Sequence, residues 1–310
     1  MSTFRTALTA SAFIIATAPA FAAGCDKVTF SDVGWTDITA TTATASLILN
    51  ALGYETETKI LSVPVTYQSL DAGDIDVFLG NWMPTMESYI APFREKGTVT
   101  TIGPNLTGAK YTLATNAPGA ALGIKDFSDI AKNSDALEGK VYGIEPGNDG
   151  NKIILDLIAN DTAGMGKMQL VESSEQGMLA QVKRETDREK PIIFLAWAPH
   201  PMNSQFEITY LTGGDDTFGP NYGGAEVYTN TRKGYVEECP NTGKLITNMV
   251  FDLSMENDIM GAILNDGTAP DAAAKAWLAA NPEAWTKWLD GVTTKDGGDA
   301  VAAVKAAVEG

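Results

Sequence analysis

Two short apolar runs restrict the fold of this chain more than any other feature. Ile75-Asp76-Val77-Phe78-Leu79 and Ile192-Ile193-Phe194-Leu195-Ala196 are nearly unbroken by polar residues. A strand with one face in water alternates polar and apolar side chains. A run that is apolar on both faces is buried on both, as in a parallel sheet covered by helices. Val28-Thr29-Phe30, Tyr111–Thr115 and Lys140–Ile144 read as further strands, and Thr56–Val65 as another that ends near Pro64. Between them lie helical patterns: about Thr39 to Leu52 with Gly53 as the stop, Tyr67 to Ala72, Pro84 to about Lys96, and Asn151 to Asn160. Ser173-Ser174-Glu175-Gln176 resembles a capping box for a helix ending near Lys190. This alternation predicts an α/β fold.

The alternation runs twice. A crossing near Pro104–Lys110 and a return near Gly213–Gly224 divide the chain into two lobes, residues 23–108 with 219–310, and an inserted 109–218. The helical tail from Gly243 completes the first lobe, and its Trp277, Trp285 and Trp288 are expected to pack there. With 310 residues and 44% apolar content, the chain is large enough for two cores.

Residues 1–22 read as an export signal. Arg5 supplies the positive end, Ala7–Ala18 an apolar stretch too short to span a bilayer, and Ala20-Phe21-Ala22 a small-x-small cleavage site. The expectation is a periplasmic protein, cleaved near Ala22. Removing Arg5 takes the net charge from −17 to −18, which disfavours nucleic-acid partners. In an oxidising compartment, Cys25 and Cys239 suggest one disulfide. The competing reading is a lipid anchor, since Ala22-Ala23-Gly24-Cys25 loosely matches a lipoprotein cleavage box.

Tryptophans follow three of the strands. Ser31-Asp32-Val33-Gly34-Trp35-Thr36-Asp37 comes after the first, Gly80-Asn81-Trp82-Met83-Pro84 after Ile75–Leu79, and Trp197-Ala198-Pro199-His200-Pro201 after Ile192–Ala196. Ligands of open α/β sheets bind beyond the carboxyl ends of strands. Large rings in Gly/Pro-rich loops at those ends fit an aromatic box for a quaternary ammonium. Such a cation has no N–H to donate and is held by the π faces of Trp and Tyr. Tyr111 is the candidate fourth wall. The same rings would otherwise be ordinary packing.

The segments at 32–37, 73–85 and 194–203 resemble, in combination, the substrate-binding proteins of ABC importers for choline and glycine betaine. The likeness covers nearly all of the chain after the signal. It implies a type II periplasmic-binding-protein fold that closes by hinge bending, and a monomer that delivers its ligand to a membrane permease. It implies a box of Trp35 and Trp82 from one lobe with Tyr111 and Trp197 from the other, and Asp37 and Asn148 on the choline hydroxyl. That last pairing has its own logic, because a hydroxyl needs an acceptor and Asp37 also favours a cation. Acetylcholine is a further candidate ligand. A betaine ends in a carboxylate, which Asp37 would repel. Against this, His200 could donate to an anion, or else bond to the loop backbone. No cofactor is called for. A secreted choline-ester hydrolase would need a nucleophile and base or a metal. His200 is the only histidine, no Gly-x-Ser-x-Gly elbow is present, and no His/Cys/carboxylate cluster has metal-ligand spacing.

Overall fold

The computed structural model describes residues 24–310, so the export signal and its cleavage site lie outside the described residues. Strand β1 (Lys27–Asp32) leads into helix α1 (Thr36–Ala51), followed by β2 (Glu55–Ile60), α2 (Val63–Ala72), β3 (Val77–Met83) and α3 (Glu87–Lys96). An 18-residue strand β4 (Val99–Asn116) then runs to the short helices α4 (Ala117–Ala121) and α5 (Phe127–Lys132). Next come β5 (Lys140–Tyr142), α6 (Asp149–Ala159), β6 (Gln169–Val171), α7 (Glu175–Asp187), β7 (Ile193–Ala198), β8 (Ile208–Tyr210) and β9 (Gly224–Arg232). Helices over 240–248, 253–264, 270–280 and 300–309 complete the chain.

All the described strands belong to one sheet, ordered β2-β1-β3-β9-β4-β7-β5-β6, with β8 paired to the end of β4. Two units of parallel strands, β2-β1-β3 and β7-β5-β6, flank the antiparallel pair β9-β4. The parallel strands are buried as their apolar runs require: Val77, Phe78, Leu79, Ile193, Phe194 and Leu195 are all within the core. The C-terminal helices 253–264 and 270–280 pack on α1.

Several sequence expectations shift. The strand expected over Thr56–Val65 stops at Ile60, and Val63-Pro64-Val65 opens α2 instead. Proline's fixed φ and missing N–H suit the first turn of a helix. Pro84 does not open α3, which starts at Glu87; the Met86 N–H donates to the Trp82 carbonyl at 2.9 Å and closes a turn there. Helix α1 begins three residues earlier than expected, at Thr36. The segment Pro104–Lys110, read from the sequence as a crossing, is part of β4. Register shifts near Thr101/Gly103, Pro104/Leu106 and Leu106/Ala109 absorb the glycines and the proline, so pairing with β9 continues. The cap of α7 is Ser174, whose Oγ accepts from the Gly177 N–H at 3.1 Å.

Cys25 and Cys239 form a disulfide, with Cα atoms 5.4 Å apart. Its sulfur is therefore not available for a thioether lipid. Trp285 and Trp288 are buried, and their indole N–H groups donate to the carbonyls of Leu278 (2.8 Å) and Val250 (3.1 Å). They serve packing, as expected, and Trp277 is packed partly buried against the same core.

Candidate functional site

The C-terminal ends of β1, β3 and β7 converge with the N-terminus of α6 and the middle of the sheet. The β1–α1 turn is held by Asp32, which accepts from the Gly34 N–H (2.7 Å) and the Thr39 hydroxyl (2.7 Å). Gly34 takes φ +84°, a left-handed conformation costly for other residues. This turn puts Trp35 at the N-cap of α1 and Asp37 in its first turn. Trp82 and Trp197 are not in loops. Each is the penultimate residue of its strand, β3 or β7, because aromatic side chains fit a ladder well and pairing continues through them. Trp197 pairs with Tyr111 across the β7–β4 ladder, which puts both rings on one face. Gly150, in the first turn of α6, makes room for the Tyr111 hydroxyl; a Cβ there would come within 2.1 Å of it.

Together Trp35, Asp37, Trp82, Tyr111, Asn148 and Trp197 line one small pocket with Ile144 and Asp149. The four residues expected in the box and the two expected on the hydroxyl are thus brought together. The Tyr111 ring lies 5.9 Å from Trp82 and 6.3 Å from Trp197, tilted by 59° and 80°. The four rings are only 3–6% exposed, so a ligand between them is shielded from water. The polar edges of three of the rings are hydrogen-bonded to neighbouring side chains. The Trp35 indole donates to Glu145 (2.9 Å), the Trp82 indole to Asp37 (3.1 Å), and the Tyr111 hydroxyl to Asn148 (3.0 Å). Asn148 caps α6 by accepting from the Asn151 N–H (2.9 Å) and donates to Asp149 (3.1 Å).

The electrostatics have one sign. Asp37 and Asp149 line the pocket and no Lys or Arg does. Asp37 Oδ1 and Asp149 Oδ2 are buried without a hydrogen-bond partner. Burial pushes the Asp37 carboxyl up to about 8, reinforced by the nearby Glu175 carboxylate. Burial likewise pushes Glu145 up to about 7 and Asp149 up to about 6. Removing a carboxylate from water disfavours its charge, and a nearby cation reverses that preference.

His200 does not reach the pocket. Its ring sits edge-on behind Trp197, with centroids 4.9 Å apart, and both its nitrogens are engaged. Nδ1 accepts from the Met202 N–H at 2.9 Å, so Nε2 carries the proton and donates to Glu175 at 3.0 Å. Sequence reasoning missed Asp149, Ile144, Glu145 and Glu175. The first three share the segment after β5 with Asn148 and were open to inspection there. Glu175 sits in a helix start and carries no local sign of its role.

Residues 26–280 match the family described as the substrate binding domain of ABC-type glycine betaine transport systems, OpuAC. The chain belongs to this family. Its members are transporter substrate-binding proteins rather than enzymes, and the family is extracytoplasmic. Among the described residues no helix is long and apolar enough to cross a membrane. A solved ABC-transporter choline binding protein in complex with choline is 65% identical, covers 92% of this chain and 98% of its own, and superposes with a TM-score of 0.91. An ABC-transporter choline binding protein in an unliganded semi-closed conformation, also 65% identical and covering 92% and 99%, gives 0.84. The glycine betaine/carnitine transport binding protein GbuC of Listeria monocytogenes is 34% identical over 130 residues, 42% of each chain. The fold is accordingly the type II periplasmic-binding-protein fold.

Proposed function

We propose that this chain is the periplasmic binding protein of an ABC importer and captures choline, with acetylcholine as a second candidate. The single observation that carries the reading is the cage itself: four shielded rings beside two buried carboxylates, with no cation among its walls. Trp35, Trp82, Tyr111 and Trp197 surround the trimethylammonium group. Each ring over the cation contributes about 0.5–2 kcal/mol. The Asp37 Oδ1 that lacks a partner accepts the choline hydroxyl, and the second N–H of the Asn148 amide is free to donate to it. Choline's small size caps binding at about 10 kcal/mol, a Kd no tighter than roughly tens of nanomolar.

The match to glycine betaine transport systems favours betaine as the second reading. The site argues against it. A betaine carboxylate needs donors, the Nε2–H of His200 is already given to Glu175, and no Lys or Arg lines the pocket.

Residues 23–108 with 219–310 form one lobe and 109–218 the other, in this reading, with β4 and β9 as the crossing strands and the cage between. The better superposition on the choline-bound structure supports a closed arrangement. The protein is exported with cleavage near Ala22, acts as a monomer and hands choline to the permease. Calorimetric titration with choline, acetylcholine and glycine betaine tests the proposal. Choline binding at micromolar or lower concentration is expected, with betaine far weaker. No heat with choline well above micromolar, or betaine displacing choline at equal concentration, would overturn it.

A further inference from the structure

Helix α1 is 16 residues long and has no cap of its own: its N-cap position is Trp35, which offers no side-chain acceptor. Helix starts normally carry Ser, Thr, Asp or Asn there to accept the first free N–H groups. The acceptor comes from 139 residues away. Glu175, at the start of α7, accepts the Thr36 N–H on Oε2 (2.8 Å) and the Thr36 hydroxyl on Oε1 (2.6 Å). The same Oε1 accepts from His200 Nε2 (3.0 Å), and both side chains are essentially inaccessible. A carboxylate at the positive end of a helix with three donors is well satisfied.

The position of this carboxylate gives it a further consequence. Thr36 lies between Trp35 and Asp37, which are cage residues on the β2-β1-β3 side. His200 backs Trp197, a cage residue on the β7-β5-β6 side. Resting on the two-lobe choline reading above, we infer that Glu175 is a positioning residue that latches the closed cleft: it caps α1 from the opposite lobe and joins both halves of the cage without touching the ligand. When the lobes part, the Thr36 donors pass to water and the cap is lost. Closure therefore restores the two Thr36 hydrogen bonds to the carboxylate at the moment the rings meet, while the His200 bond, inside the second lobe, keeps that carboxylate in place, and the closed population sets the apparent affinity.

The test compares the mature wild-type protein with Glu175→Gln and Thr36→Val, neither of which alters a residue placed on the ligand. Choline affinity is measured by calorimetry and dissociation by stopped-flow tryptophan fluorescence. Glu175→Gln is expected to weaken choline binding roughly ten-fold or more, chiefly through faster dissociation. Thr36→Val should lose less, and the double variant should be no worse than Glu175→Gln alone, because both remove the same contact. For Thr36→Val the melting temperature without choline should stay near wild type, since that contact is made only on closure; Glu175→Gln also weakens the His200 bond inside its own lobe, so its binding loss is judged against the Thr36→Val result. Unchanged choline affinity in both single variants overturns the latch, as does additive loss in the double variant. A drop in unliganded melting temperature with binding intact would show a merely structural contact. If wild type binds choline and the variants do not differ, the latch alone fails; if wild type binds no choline, the choline reading fails and the latch with it.

Discussion

Trp82→Ala tests the cage most directly, and its cost can be worked from two contacts. The Trp82 ring is 3% exposed and faces Tyr111 at 5.9 Å, so it acts on a cation in a shielded space. A desolvated ring of this kind is worth about 2 kcal/mol to a bound quaternary ammonium. Its indole also donates to Asp37 at 3.1 Å. Losing a donor to a buried carboxylate costs about 1–3 kcal/mol, and it raises the Asp37 pKa further, leaving less negative charge for the ligand. Discounting for non-additivity, the sum is about 3–4 kcal/mol, or roughly 100- to 1,000-fold in Kd. Trp82→Phe keeps a ring and loses the donor, so it should fall between wild type and alanine. Trp285→Ala is the control. That ring is fully buried far along the chain in the C-terminal helices, and its truncation costs about 3–5 kcal/mol of stability, a fall of about 10 °C in melting temperature. The folded fraction should still bind choline as wild type does. Titration calorimetry and thermal unfolding, run on all three variants, separate the cases. Equal choline affinity in Trp82→Ala and Trp285→Ala would refute the assignment of the tryptophans.

Choline affinity should depend on pH. A bound cation favours the ionised forms of Asp37 and Asp149, whose unliganded values lie at about 8 and about 6. Binding thus releases protons; affinity is full above about pH 8 and is lost as pH falls through that value toward 6 and below. Calorimetry at neutral pH in buffers of different ionisation enthalpy should reveal the released protons, and a Kd constant from pH 5.5 to 9 would contradict this. Asp37→Asn should weaken choline roughly 10- to 100-fold while leaving betaine unchanged or better bound, as competition titration would show; equal losses for both ligands would count against a charge-based preference. Replacing Cys25 and Cys239 by serine removes a closure spanning 214 residues, costing at most about 4–5 kcal/mol. The melting temperature should drop by up to about 10 °C with choline affinity in the folded protein intact, since neither cysteine lines the cage; a large loss of affinity would mean that the disulfide holds the site.

What could be read in advance follows from how local each signal is. Val77-Phe78-Leu79 and Ile193-Phe194-Leu195 advertise doubly buried strands by composition alone, and rings clustered at strand ends have few other uses. Of the strand at Val99–Asn116 only Tyr111–Thr115 was legible; the first part was hidden because Gly103, Pro104 and Gly108 break its pattern, and only pairing with β9, more than a hundred residues later, carries the ladder through them. Pro64 was ambiguous for a simpler reason: the same fixed φ that ends a strand starts a helix. Glu175 shows the limit most clearly. Within its own segment it is an acidic residue in the first turn of α7, a sufficient account of its identity. Its partners Thr36 and His200 sit on separate elements, and each has a bland local explanation as well. The cage walls could be named because an aromatic box needs particular residue types. The contact behind them needs only one acceptor and three donors, which nearly any stretch of sequence can supply, so its selection becomes visible only once the folded chain puts Trp35 where a capping residue would otherwise be.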